Sequence, residues 1–168
     1  RKLSAPGGVY AVPGDADWDT GLDDIFAGSA VKVLRNEIVT IHVADREIQL
    51  GGTVLQWHTK GVYETVQALE QQSGQDAIRL LLSHRPDVVR VLQPNSPVDL
   101  VVAGHTHGGQ VVLPFFGPPI TLTSVPRKVA SGGLHVMDGN PIYVSRGVGC
   151  ERGLAPCIRL MCRPELAL

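Results

Sequence analysis

Apolar residues in this chain gather into short runs that stop at glycine, proline or a polar cluster, the pattern of strands feeding loops. Residues 99–103 read as a strand buried on both faces, followed by Gly104-His105-Thr106-His107-Gly108-Gly109-Gln110, where the glycines allow a sharp turn. Residues 8–12 form a second β-rich run, halted by Pro13-Gly14, with Asp15, Ala16 and Asp17 in the turn. A third, 77–82, delivers Ser83-His84-Arg85-Pro86-Asp87, and Pro86 suits the first turn of a short helix through Leu92. Helical spacing of Leu22, Ile25, Phe26 and Ala30 predicts a helix capped by Thr20 and running to about Leu34, with Asp23 and Asp24 at its positive first turn. A second helix is expected over 63–72, with Val62, Val66 and Leu69 on one face and Gly74 as its stop. Residues 38–43 and 47–50 alternate like a hairpin ended by Gly51-Gly52. Runs at 133–137, 142–145 and 157–162 read as antiparallel strands, with Asp138-Gly139 as a turn.

Composition narrows the function classes. A length of 168 residues is that of one domain, 1–168, burying roughly two thirds of its unfolded surface. Net charge is -1 and the chain holds no basic block, so no nucleic acid is expected as a partner. Charged residues make up 18%, while 19 Gly and 12 Pro imply many turns, which fits loops mounted on an α/β scaffold. No stretch reaches the roughly 18 to 20 apolar residues of a spanning helix, so a soluble chain without a transmembrane segment is expected, with the cytoplasm favoured. Cys150, Cys157 and Cys162 are odd in number and lack CxxC spacing, and reduced thiols are expected.

Candidate chemistry lies at three strand ends: Asp15, His84, and the pair His105 and His107. Such ends converge on one crevice in open α/β sheets. Each has a plainer alternative, a turn residue for Asp15, a helix-start residue for His84 and a surface turn for the pair. One carboxylate with several imidazoles suits a divalent transition metal (Mn, Fe or Zn) better than Ca or Mg.

These segments also resemble a known family. Val9-Tyr-Ala-Val-Pro-Gly-Asp-Ala-Asp17 is similar to its "VYAVPGNHD", Leu80-Leu-Leu-Ser-His-Arg-Pro-Asp87 to "ILLSHxPD", and residues 99–110 to "DLVLSGHTHGGQ". Leu113-Pro-Phe-Phe-Gly117, Tyr143-Val-Ser-Arg-Gly-Val-Gly149 and Arg163-Pro-Glu165 continue the match in order. The family is the calcineurin-like metallophosphoesterases, in the bacterial branch with GHTHGGQ. The resemblance implies a four-layer α/β/β/α sandwich, N-terminally incomplete here, and a two-metal phosphoester hydrolase whose ions hold a hydroxide and clamp phosphate oxygens. It implies Asp15, His84 and His105 as ligands of the second metal and His107 as a ligand of the first. The substrate implied is a phosphorylated small molecule or a phospholipid-like molecule.

The chain departs from the family in places that bear on activity. Asp15 stands where the family has Asn, adding a negative charge, and Ala16 stands where it has the His that stabilises phosphate or protonates the leaving group. Loss of such a group costs about two to four orders of magnitude in rate. The family's Asp-x-His and Gly-Asp motifs, the latter with the Asp that bridges both metals, would precede residue 1. Without them the first metal keeps only His107, so one ion instead of two and little or no turnover are expected of these residues alone. Three readings follow: part of a phosphoesterase, a non-catalytic metal- or phosphate-binding relative, or an interaction module completed by a partner chain. An open sheet edge would then favour self-association.

Overall fold

A computed structural model describes residues 4–17, 21–72, 76–151 and 157–167. Thr20 as a cap and Gly74 as a helix stop lie outside the described residues. The architecture is mixed α/β, as expected for a calcineurin-like fold. A six-stranded sheet has the order β3-β4-β5-β6-β8-β7, and a parallel pair, β1-β2, stands apart from it. The strands are β1 (Val9–Ala11), β2 (Val31–Val33), β3 (Glu37–Val43), β4 (Arg46–Gly52), β5 (Ile78–Ser83), β6 (Leu100–Ala103), β7 (Gly133–Met137) and β8 (Asn140–Val144).

Turn chemistry sets the two hairpins. Ala44 takes a left-handed φ between β3 and β4, and Asp138 (φ 50) and Gly139 (φ 81) form the two-residue turn between β7 and β8. A left-handed conformation at both central positions matches strand twist, which is why an Asp-Gly pair works there. The hairpin expectation for 38–50 holds, except that β4 runs on through Gly51 and Gly52. Gly52 belongs in the strand because its bare Cα leaves room for the fully buried Leu34.

Helix α2 (Lys60–Gln71) lays Val62, Thr65, Val66 and Leu69 on the sheet. The core joins that face to Leu81, Val88, Val101, Ile142 and Val144, all fully buried. The helix expected over 20–34 is a correction: α1 spans Leu22–Ile25, Gly28 turns at φ 72, and β2 pairs in parallel with β1. A second correction concerns β6, where Val101 and Ala103 are buried while Leu100 and Val102 are half-buried, so one face is closed and the other partly covered. Residues 157–162 form no strand; Leu160 makes an isolated bridge to Val111. β8 is antiparallel to β7 as expected and also parallel to β6.

The parallel run β4-β5-β6-β8 decides where chemistry can sit. Ser83 pairs with Ala103, and Ala103 with Val144, so three strands finish level at one end of the sheet. Whatever follows them emerges side by side.

Candidate metal centre

His84 follows β5 directly, and His105 follows β6 after Gly104, whose N–H donates to the His84 carbonyl at 3.1 Å. That bond extends the ladder one step and holds the two loops together. The sharp turn then falls on the histidines themselves, with left-handed φ at His105 (69), His107 (50), Gly108 (64) and Gly109 (81). Such a backbone costs of order 1–3 kcal/mol at each non-glycine position and persists only where surroundings enforce it. Asp15 arrives from the loop after β1. This loop is closed by Gly14 N–H donating to Asp17 Oδ2 at 2.6 Å. Gly14 is also where His84 approaches the backbone, since a Cβ there would lie 2.9 Å from His84 Nδ1.

The side chains of Asp15, His84 and His105 meet, each offering one ligand atom within 4.8 Å of the others. Asp15 Oδ2 lies 2.5 Å from His105 Nδ1 and 3.0 Å from His84 Nε2, and the two imidazole nitrogens are 3.2 Å apart. Proton accounting shows what the cluster can hold. His105 Nε2 faces the Leu122 carbonyl at 3.0 Å, an acceptor alone, so Nε2 carries the proton and donates it. With that proton on Nε2, the Nδ1 of His105 is the ring atom that faces the carboxylate, 2.5 Å from Asp15 Oδ2. Two acceptors at 2.5 Å repel unless a second proton or a cation joins them, and a divalent ion would be held by all three donor atoms. An imidazole that passes its other N–H to a backbone carbonyl is the usual support of a metal-ligating histidine.

Charge at the cluster is balanced by a residue from the same loop. Arg85 Nη2 donates to Asp15 Oδ1 at 3.3 Å, which offsets the carboxylate standing where the family has Asn. Partial burial pushes the Asp15 carboxyl up, but His105, His84 and Arg85 outweigh it and hold it below the ordinary range. Burial likewise pulls His84 below its usual value, against the opposing pull of Asp15.

His107 is placed apart from these three. Its Nδ1 is 3.5 Å from Arg159, whose guanidinium also donates to the carbonyls of Arg146 (2.6 Å), Gly147 (3.1 Å) and Gly149 (2.9 Å from Nε). Burial and the Arg159 charge lower the His107 pKa. His105 and His107 both line a small cavity of 40 Å³ with Gln110, Ile120, Leu122 and Glu151. Cys150 and Cys157 form a disulfide and Cys162 is a buried free thiol, which corrects the expectation of three reduced thiols. The bond ties Cys157, two residues before Arg159, to Cys150, a proximity that cysteine spacing does not encode.

Asp87, to which the sequence alone assigned no role of its own, holds a loop in place. It is 2% exposed and accepts from Thr123 Oγ1 (2.6 Å), Ser124 N (2.7 Å) and Ser124 Oγ (2.5 Å). Arg90 Nη2 donates to the Ser124 carbonyl at 2.6 Å. The 3-10 helix Pro86–Val91 thus grips the loop whose Leu122 carbonyl orients His105. The Leu-Ser-His-x-Pro-Asp string carries a readable signal, a carboxylate three residues beyond the histidine, but its partners lie 36 and 37 residues away.

Comparison with known proteins decides the family. The chain is similar to phosphodiesterase YaeI of Escherichia coli (strain K12), 35% identical over 147 residues, which covers 88% of this chain and 50% of that protein. It is 32% identical over 174 residues to the uncharacterized metallophosphoesterase YkuE of Bacillus subtilis (strain 168), covering 100% of this chain and 57% of the relative. The chain belongs to the calcineurin-like metallophosphoesterases. A shorter match, 35% identical over 95 residues, links it to UDP-2,3-diacylglucosamine pyrophosphatase LpxG of Chlamydia trachomatis serovar D, covering 53% of this chain and 27% of LpxG. No protein-family model matches, and no solved structure matches. The chain spans about half the length of the curated relatives that it matches. Metallophosphoesterase membership implies a divalent metal, and the Asp15, His84 and His105 donor set fits one on proton accounting.

Proposed function

We propose that this chain carries one half of a divalent-metal phosphoester hydrolase centre, with Asp15, His84 and His105 ligating one ion and His107 belonging to a second. The observation that carries the proposal is the Leu122 carbonyl on His105 Nε2, which turns the Nδ1 of that ring towards Asp15 Oδ2 and His84 Nε2, so that three potential ligand atoms converge where a cation would sit. The ion would be Mn, Fe or Zn, and it would polarise a phosphate oxygen and activate a water. Arg85 keeps the Asp15 carboxylate compatible with an anionic substrate. Ala16 offers neither a proton nor a hydrogen bond, so turnover by these 168 residues alone is weak. The substrate class is a phosphorylated small molecule or a phospholipid-like phosphoester, the second supported by the similarity to LpxG. The test is hydrolysis of bis-p-nitrophenyl phosphate with added manganese by the chain and by His105→Ala. Metal-dependent turnover, however slow, that disappears in the variant supports the centre; turnover unaffected by both changes refutes it.

Location follows a separate observation. Disulfides persist in oxidising compartments, so the Cys150–Cys157 bond favours an extracytoplasmic site over the cytoplasmic one expected from sequence. Among the described residues no helix is long and apolar enough to cross a membrane. The reading as an interaction module rests on β1, which among the described residues pairs with β2 alone. Light scattering that shows a dimer, unchanged in His105→Ala, would favour it.

A further inference from the structure

The segment between the histidine turn and α3 (Arg127–Ala130) is built unlike the rest of the surface. Residues 108–126 contain no charged side chain, in a chain that is 18% charged, and the segment ends on Arg127 and Lys128, both exposed. Its tip is an ordered hairpin, not a frayed loop: Leu113 N–H donates to the Gly117 carbonyl at 3.0 Å and Gly117 N–H to the Leu113 carbonyl at 2.9 Å. That closure pushes two aromatic rings outward. Phe115 is fully exposed, Phe116 is 78% exposed, and Ile120 is 64% exposed on the return. Leu160 and Met161, also exposed, extend the apolar surface, because Leu160 is tied to the tip's own strand through Val112 N–H (2.9 Å) and the Gln110 carbonyl (2.9 Å). Exposed apolar surface held in fixed geometry marks a docking site.

We infer that this hairpin docks the protein on an anionic phospholipid surface, with Phe115 and Phe116 entering the acyl boundary and Arg127 and Lys128 contacting the headgroups. Charge decides the occupant. The segment combines aromatic and aliphatic groups with two exposed cations that follow it directly in the chain and no acidic residue in 108–128, the combination that binds anionic interfaces. Glu151 is the acidic residue beside it, in the wall of the cavity with Ile120 and Leu122. Two phenylalanine rings bury about 300–500 Å² in all, short of the roughly 800 Å² that each partner contributes to a protein interface of standard size. A bilayer accepts a small projecting tip by letting it sink. Ile120 and Leu122 continue the apolar strip from the tip into the wall of the cavity that holds His105 and His107. Docking thus brings a plane of lipid phosphates to the candidate centre, a corollary that rests on the proposed function, whereas docking itself needs no metal.

Vesicle flotation without added metal tests the inference, using phosphatidylcholine vesicles with and without about one third phosphatidylglycerol. The chain is expected to float with the anionic vesicles and at least tenfold less with neutral ones. Phe115→Ser with Phe116→Ser lowers anionic-vesicle binding at least tenfold while circular dichroism is unchanged, and Arg127→Glu with Lys128→Glu lowers it several-fold. No binding by the parent chain, equal binding to both vesicle types, or equal binding by the double-serine variant overturns the inference. A concentration-dependent dimer abolished by the serine pair, without vesicle binding, also overturns it by making a second copy the occupant. Metal uptake measured on the same variants keeps the outcomes separate, since loss of docking with intact uptake leaves the metal centre standing.

Discussion

Replacing Asp87 with alanine tests how the centre is held in place. The carboxylate is 2% exposed and accepts three hydrogen bonds from Thr123 and Ser124. Its removal strands the Ser124 N–H, which cannot turn elsewhere, while the two hydroxyls can rotate towards other acceptors. A hydrogen bond to a charged group contributes about 1.5–3 kcal/mol and a stranded buried donor costs about 1–3 kcal/mol. With partial hydroxyl rescue, a net loss of about 3 kcal/mol results, equivalent to roughly 6–12 °C in Tm at this chain length. Asp87→Asn keeps one acceptor for Ser124 and turns its amide to Thr123 Oγ1, so about 1–2 kcal/mol is expected. The pH dependence has a defined sign. Burial raises the Asp87 carboxyl, the Ser124 and Thr123 bonds outweigh it, and its folded pKa lies below the unfolded value. Its contribution is therefore complete above the ordinary carboxylate range and fades as pH falls through the depressed folded value. Urea titrations at pH 7 and pH 3 measure both effects. The same variant frees the loop bearing the Leu122 carbonyl, so metal affinity should fall about 10–100-fold, as for other outer partners of a ligating histidine. Stability within 0.5 kcal/mol of the parent would refute the burial argument. A destabilised variant with unchanged metal affinity would refute the link to His105.

Other consequences are equally concrete. Gly14→Ala puts a methyl group against His84 and should weaken metal binding at least tenfold; calorimetry showing parent affinity would mean that the ring moves freely. Arg146, Tyr143 and the Arg146 backbone hold the Glu165 carboxyl down to about 2, despite the upward push of burial. Its tie between the C-terminal segment and β8 should thus persist above pH 4.5 and be lost as pH falls towards 2, a dependence that Glu165→Gln flattens in acid unfolding curves. Alkylation of the denatured, unreduced chain should label one thiol and, after reduction, three. Labelling of three without reductant would remove the disulfide.

What was legible in the sequence depended on how local its cause is. Strands β3, β7 and β8 and helix α2 follow from alternation or helical spacing within a few residues, and Asp138-Gly139 turns as its residue types require. Leu22, Ile25, Phe26 and Ala30 keep helical spacing too, yet Gly28 turns left-handed and β1 captures Val31–Val33, so a long-range pairing overrides a local pattern. Residues 157–162 look like a strand, but what anchors them is the Cys150 bond and the Arg159 contacts. His84 and His105 were legible because parallel strands that end level must deliver their next residues together, whereas Asp15 was legible as a polar residue at the end of β1, which lies in the separate pair. Asp87, Arg85 and Arg159 were not, because their roles depend on carbonyls, hydroxyls and a carboxylate that only the folded chain brings near.

The central claim is that Asp15, His84 and His105 hold a divalent ion. Its most direct test is metal titration of the purified, chelator-treated chain with Mn, Fe and Zn, read by calorimetry and elemental analysis and repeated on His84→Ala and His105→Ala. The account predicts about one tightly bound ion for the parent and none for either variant. Parent stoichiometry and affinity in both variants would contradict it.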